Sequence, residues 1–219
     1  MRRAALLALI PLSLVAQAPN PAFAPVEDKP GLPRVLLIGD SISIGYTLPV
    51  RKLLEGKANV HRIPTNAAHT RNGAEKIAQW LGDGRWDVIH FNFGLHDLRR
   101  MEDGQRQVSV EDYGRNLAAI VAALNRTGAR LIWANTTPVP EGKVSPPRVP
   151  ADVGLYNQAA LDVMRRNRIP VNDLYAFALG RLKEIQRPVN VHFTDAGSDA
   201  LAAEVARHIE RALSKQKKK

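Results

Sequence analysis

Five short runs of branched and leucine-rich residues, each followed by a stretch of helical spacing, limit what this chain can fold into more than any other feature. Arg34–Ile38 ends at Gly39, and Asn59–Ile63, Asp87–Phe91, Arg130–Ala134 and the short Ile169–Val171 have the same character. Apolar runs this short, with no polar alternation, suit parallel strands buried on both faces. Helical spacing fills the intervals at about Leu48–Leu54, Gly73–Leu81, Val110–Asn125 and Val153–Arg166, and again at Ala196–Leu213 near the end. Strands alternating with helices predict an α/β fold, a single-domain three-layer α/β/α sandwich with a five-stranded parallel, flavodoxin-like sheet and right-handed crossovers. The 219 residues suffice for one such domain with a full core and are too few for two.

Ligands of such sheets bind beyond the carboxyl ends of the strands. The loops of interest therefore start at Gly39, Pro64, Asn92, Asn135 and Asn172. Between Thr136 and Pro150 lie Pro138, Pro140, Pro146, Pro147 and Pro150, which stiffen a long insertion able to wall a cleft. Leu98 to Ser109 is polar and rich in arginine.

The ends have a different composition. Met1-Arg2-Arg3 is basic, Ala4 to Ala16 is apolar, and small residues follow as Ala16-Gln17-Ala18 and Ala22-Phe23-Ala24. This is the layout of a secretory signal peptide, in a run shorter than the ~18 residues of a spanning helix. The expected organisation is a signal peptide over 1–24, a Pro-rich linker over 25–33, the domain over 34–213 and a basic tail over 214–219. Pro19 and Pro25 disfavour both candidate cuts, so the cleavage site stays open. Export to the periplasm or medium and no stable membrane insertion after processing are expected. Without cysteine the fold rests on its core alone. The formal charge of +10 is concentrated in Arg2, Arg3 and the tail lysines Lys215, Lys217, Lys218 and Lys219. With few aromatics and no nucleic-acid motif, a nucleic-acid partner is not expected.

Gly39-Asp40-Ser41-Ile42-Ser43, at the exit of the first strand, is the strongest local signal for chemistry. A serine there stands at the sheet's carboxyl edge, near a helix start whose free N–H groups favour developing negative charge. It suits a nucleophile, and equally an N-cap. A serine nucleophile needs a base. His192, in Asn190-Val191-His192-Phe193-Thr194 just before the last helix, is the candidate. His61 and His90 fall in strands, His208 on the last helix, and His69 and His96 in loops.

Together these segments resemble the SGNH (GDSL-type) hydrolase family. The family's first block matches Gly39-Asp40-Ser41-Ile42-Ser43. Its third, Gly-x-Asn-Asp, is echoed by Gly94-Leu95-His96-Asp97, and its last by Val191-His192-Phe193-Thr194-Asp195-Ala196-Gly197. The resemblance spans Arg34 to Ile209 and implies an SGNH-hydrolase-like domain.

Three positions depart from the family. Its second-block glycine, an oxyanion donor through its backbone N–H, falls on Ala68. Its asparagine donor falls on His96, whose imidazole can also donate; Asn92 is a further candidate donor. Its triad aspartate, three residues before the histidine, falls on Val189. A backbone carbonyl or the amide of Asn190 would then orient His192, giving a Ser-His dyad, with Asp195, Asp173 and Asp152 as alternative acids.

The resemblance implies an esterase hydrolysing acyl esters, acetyl first; taken with the expected export it makes an acylated carbohydrate the first choice of substrate and a lysophospholipid or short-chain ester the second. The catalytic residues would be Ser41 and His192, the oxyanion hole Ser41, Ala68 and His96, and no cofactor would be required. Asp40 and Asp97 suit capping better than metal binding, so no metal is expected. Two other classes remain: a carbohydrate-binding protein on a degenerate hydrolase scaffold, and a nucleotide-binding domain, for which Gly39 to Gly45 lacks the middle glycine of the phosphate loop. Trp80, Trp86 and Trp133 fall in or beside core patterns, which assigns them to packing.

Overall fold

The computed structural model describes residues 19–214. Most of the segment expected to be a signal peptide and nearly all of the basic tail lie outside the described residues. Five parallel strands, β1 (Arg34–Ile38), β2 (Asn59–Arg62), β3 (Val88–Phe91), β4 (Arg130–Ala134) and β5 (Val171–Asn172), lie in the order β2-β1-β3-β4-β5. The register pairs Val35 with Val60 on one side and with Val88 on the other. Val35, Leu37, Ile38, Ile89 and Phe91 are fully buried, as strands covered on both faces require.

Helices α1 (Ser41–Leu53) and α7 (Asp195–Ser214) pack together on one face of the sheet. On the other, α2 (Thr70–Leu81) packs against α3 (Val110–Asn125), which packs against α4 (Asp152–Arg166). The architecture is the three-layer sandwich expected. Trp133 and Trp80 are buried in the core, and Trp86 carries the Arg34 guanidinium over its ring at 4.3 Å.

Some elements depart from the expected bounds. The first helix begins at Ser41 rather than near Leu48, because the Asp40 side chain accepts from Ile42 N at 3.0 Å and caps it there. Two short helices, α5 (Leu174–Leu179) and α6 (Leu182–Ile185), follow β5 where no helix was expected. The segment taken as a linker is tied to the sheet. Lys29 N donates to Asn59 Oδ1 at 2.9 Å, and Asp28 meets both His61 and Arg34. Before it, a 3-10 turn (Pro21–Phe23) buries Ala22, and Arg51 donates to the carbonyls of Pro21 and Ala24.

The chain runs from β1 outward to β2 and then back across to β3. The crevice beyond the carboxyl ends of β1 and β3 is therefore the topological switch point of the sheet. The loops that leave these two strands carry Ser41 and His96.

Candidate active site

Ser41 opens α1, directly after the buried cap Asp40. Below it, Arg62 at the end of β2 reaches under the turn. One guanidinium nitrogen donates to Ser43 Oγ at 2.8 Å and another to Gly39 O at 2.9 Å. Burial lowers the pKa of this guanidinium to about 10, so it stays charged at neutral pH. The turn that presents Ser41 is thus held from the helix side by Asp40 and from the sheet side by Arg62. Arg62 was not among the residues singled out from sequence.

His192 comes from far along the chain. A tight loop between α6 and α7 presents it, closed by Arg187 N to His192 O at 2.9 Å and Thr194 N to Ile185 O at 2.9 Å. Gly197, in the first turn of α7, lets this loop close: a Cβ there would lie 2.0 Å from Ile185 O. The result brings His192 Nε2 to 2.9 Å from Ser41 Oγ, across 151 positions of sequence.

The other ring nitrogen meets Asn190. Asn190 Oδ1 accepts from the His192 backbone N–H at 2.9 Å and lies 2.7 Å from His192 Nδ1. A backbone N–H can only donate, so the amide atom facing it must be the oxygen. Nδ1 must then carry the ring proton, which leaves the Nε2 lone pair for the Ser41 hydroxyl. Burial lowers the His192 pKa below its ordinary value, with Arg187 and Arg148 pushing the same way and Asp40 opposing them. The neutral ring able to accept a proton is the form favoured.

Other carboxylates considered for that place are engaged elsewhere. Asp173 caps α5 and accepts from Asn135 at 2.7 Å, and Asp152 binds Arg100 and Arg106. Asp195 is the first residue of α7 and lines the same cleft as Ser41, but Asn190 is the group that meets Nδ1. Val189 is half exposed at φ +49°.

On the β3 side, Gly94 adopts φ +144°, and a Cβ would fall 2.0 Å from Thr136 Oγ1, so only glycine fits this turn. The turn carries His96, half-buried, toward the switch point. Burial lowers its pKa, with Arg148, His69 and Arg99 adding to the effect and Asp40 opposing it. Asp97 lies beneath, fully buried, and accepts from Thr70 N at 2.9 Å and from Thr70 Oγ1 at 2.5 Å. Burial pushes its carboxyl up to about 7. It pins the start of α2 to the His96 turn. Asn92 donates to Ala134 O at 2.8 Å, which ties β3 to β4.

Ala68 stands in the left-handed region at φ +57°, the conformation that explains a glycine at this position in the family. Its N–H donates to Asn66 Oδ1 at 2.9 Å. His69 caps α2 through Nδ1, which accepts from Asn72 N at 3.2 Å. The remaining histidines lie elsewhere: His61 pairs with Asp28, buried His90 contacts Asn172, and His208 contacts Glu204 O.

Ser41 and His192 border a cleft of about 360 Å³, whose wall includes Leu48 of α1, Phe193, and Asp195 and Asp199 of α7. A hollow of about 480 Å³ lies away from them, along β4, Asn167–Val171 and the end of α7. Among the described residues no group of three or more histidines and carboxylates is arranged to hold a metal ion. No described helix is long and apolar enough to cross a membrane. The arrangement combines a hydroxyl, a base with its tautomer fixed, and donors at a helix start. That combination serves acyl transfer.

Comparison with known proteins agrees with the geometry. Residues 37–200 match the GDSL-like lipase/acylhydrolase family. Among solved structures, a lipase/acylhydrolase from Enterococcus faecalis superposes with a TM-score of 0.70 at 20% identity, over 81% of this chain and 95% of that one. An acetyl xylan esterase gives 0.68 at 15% identity, over 80% and 99%. A catalytic mutant of an acetylxylan esterase from Geobacillus stearothermophilus gives 0.65 at 17% identity, over 81% and 94%. At these identities the likeness shows the fold. No curated protein matches the chain.

Proposed function

The chain belongs to the GDSL-like lipase/acylhydrolase family, which makes it a serine ester hydrolase, and we propose that it works through a Ser41–His192 dyad oriented by Asn190. Ser41 Oγ attacks the ester carbonyl while its proton passes to His192 Nε2. The tetrahedral intermediate collapses, and the leaving alkoxide takes that proton from Nε2. Water then attacks the acyl-serine, His192 accepts its proton, and the acid departs as the proton returns to Ser41 Oγ. The Ser41 N–H, the Ala68 N–H and the His96 ring would receive the oxyanion. For Ala68 this requires the substrate oxygen to displace Asn66 Oδ1 from its N–H. One observation carries the reading: Nε2 lies 2.9 Å from Ser41 Oγ with Nδ1 held by Asn190.

The first choice of substrate is an acetylated or otherwise acylated carbohydrate, supported by the likeness to acetylxylan esterases; lysophospholipids and simple short-chain esters come second. We test the activity with p-nitrophenyl acetate and a serine-directed fluorophosphonate. Turnover and labelling are expected in the natural chain and not in Ser41→Ala. Equal turnover by the two proteins would remove the enzyme and leave a binding protein on a hydrolase scaffold.

Export belongs to the same proposal. The packing of Pro21–Phe23 on the fold supports a cut after Ala18 over one after Ala24, since the later cut would discard buried Ala22. N-terminal sequencing of the exported protein decides: a chain starting at Pro19 is expected, and a cytoplasmic, uncut chain would refute export.

A further inference from the structure

We propose that the ester taken by this site carries a negative charge on the His96 side of Ser41, received there by Arg148 and Arg99; the proposal rests on the hydrolase reading and names its substrate class. Arg148, from the Pro-rich segment, is nine-tenths buried and built into place. Its Nε donates to Leu95 O at 2.7 Å and one terminal nitrogen to Pro146 O at 3.0 Å. Leu95 is the residue before His96, so this guanidinium is fixed against the turn that carries His96. Arg99 closes the same turn, its backbone N donating to His96 O at 3.3 Å. Its side chain makes no hydrogen bond or ion pair with any described residue, and its Nε is buried without a partner.

Nearby arginines are treated differently. Arg100 and Arg106, on the same loop as Arg99, both close on the buried carboxylate of Asp152, at 2.7 and 2.6 Å. Arg148 and Arg99 have no such partner among the described residues. None of the nearby acids closes on either guanidinium: Asp40, whose charge bears on Arg148, caps α1, Asp97 binds Thr70, and Asp195 and Asp199 line the cleft beside Ser41. Glu102 and Asp103 share a hollow with Arg99 and form no ion pair with it. Both guanidinium charges also bear on His96, which they push toward its neutral form. Two guanidinium groups with no ion-pair partner among the described residues, only partly offset by the Asp40 charge that bears on Arg148 and set beside the residue aligned with an oxyanion donor, match a carboxylate, phosphate or sulfate on the substrate.

The test compares kcat/KM, net of spontaneous hydrolysis, for paired esters matched in size, one anionic and one neutral. For the acyl side, mono-p-nitrophenyl succinate is set against p-nitrophenyl valerate. For the alcohol side, 4-carboxyphenyl acetate is set against 4-carbamoylphenyl acetate. The natural chain is expected to prefer the anionic member of one pair by about tenfold, and the preferred pair tells which half of the ester bears the charge. That preference should shrink from low to high salt. Arg99→Gln should reduce the ratio to near unity, and Arg148→Lys, which keeps a charge but loses the planar fork, should reduce it in part. Because each ratio is taken within one protein, a general loss of activity cancels. Turnover of all four esters with no preference in either pair would overturn the proposal. A preference untouched in both variants would overturn its assignment to these arginines. Natural chain and Ser41→Ala alike in turning over none of the esters would instead remove the hydrolase reading, and the proposal with it.

Discussion

Asn190 holds His192 at two points, accepting from its backbone N–H at 2.9 Å and from Nδ1 at 2.7 Å. The amide does the orienting half of what a triad aspartate does, since it fixes ring and tautomer. It lacks the other half, a negative charge to stabilise the imidazolium that would form if Ser41 gave its proton to the ring. The two contributions can be separated by mutation at this one position.

Asn190→Ala should lower kcat by about 10- to 100-fold, because the ring loses its tautomer lock. Asn190→Asp keeps the acceptor and adds the charge, so it should raise the His192 pKa and move the acid limb of the kcat/KM profile to higher pH. In the natural chain that limb should lie below the ordinary histidine value of 6.5, since burial favours the neutral ring and activity is lost only as pH falls through the lowered pKa. A pH–rate profile of the three proteins checks both statements. An acid limb unmoved by Asn190→Asp would mean that Asn190 does not act on the ring.

His96→Ala should lower kcat by about 100-fold while changing KM little, the signature of a group that acts mainly in the transition state. His96→Asn, which supplies an amide donor, should recover much of that loss. Steady-state kinetics of both variants decide, and a change confined to KM would reassign His96 to substrate contact.

Arg62 joins β2 to the Ser41 turn through Ser43 Oγ and Gly39 O. Arg62→Met keeps most of the volume and strips both acceptors of their donor. It should cost about 2–4 kcal/mol of stability and lower kcat as the turn loosens. Thermal unfolding and kinetics on the same samples measure the two effects. Unchanged melting would show that the turn holds itself.

Asp97 connects the His96 turn to α2 and is pushed up to about 7 from an ordinary 3.8. Because its folded pKa is the higher, the folded state binds more protons than the unfolded state between those values. Its contribution is therefore fully present below about 4 and is lost as pH rises through about 7. Asp97→Asn keeps an oxygen for the two Thr70 donors and removes the ionisation. The variant should lose less stability than the natural chain between pH 5 and pH 8, as followed by urea denaturation. Equal losses would place the titration elsewhere.

Much of the fold was legible from periodicity. Strands β1 and β4 and helix α3 fall on the bounds read from sequence, because burial on both faces of a sheet leaves uninterrupted apolar runs and a one-sided helix leaves a 3.6-residue stripe. A helix start near Ser41 was read from the sequence, but the helical pattern showed only from about Leu48 because Ser41-Ile42-Ser43-Ile44-Gly45 is poor in helix formers. The Asp40 cap and packing against α7 override that propensity. Helices α5 and α6, at six and four residues, are too short to show a period and owe their form to what they pack against.

The same division runs through the site. Ser41 and His192 stood out in the sequence because a strand exit and a helix entrance have local signatures, and a side chain at such a junction faces the carboxyl edge whatever else the chain does. Whether the two would meet was a matter for the tertiary structure, as were the choice of Asn190 over a backbone carbonyl or another acid and the roles of Arg62 and Arg148. Each of those depends on which group lies across a gap of a few ångströms, and separation along the chain carries no record of that distance. An arginine in a strand reads as a solvated edge until the fold buries it, and an asparagine near a histidine is one of several groups able to orient the ring until the fold brings one of them to Nδ1.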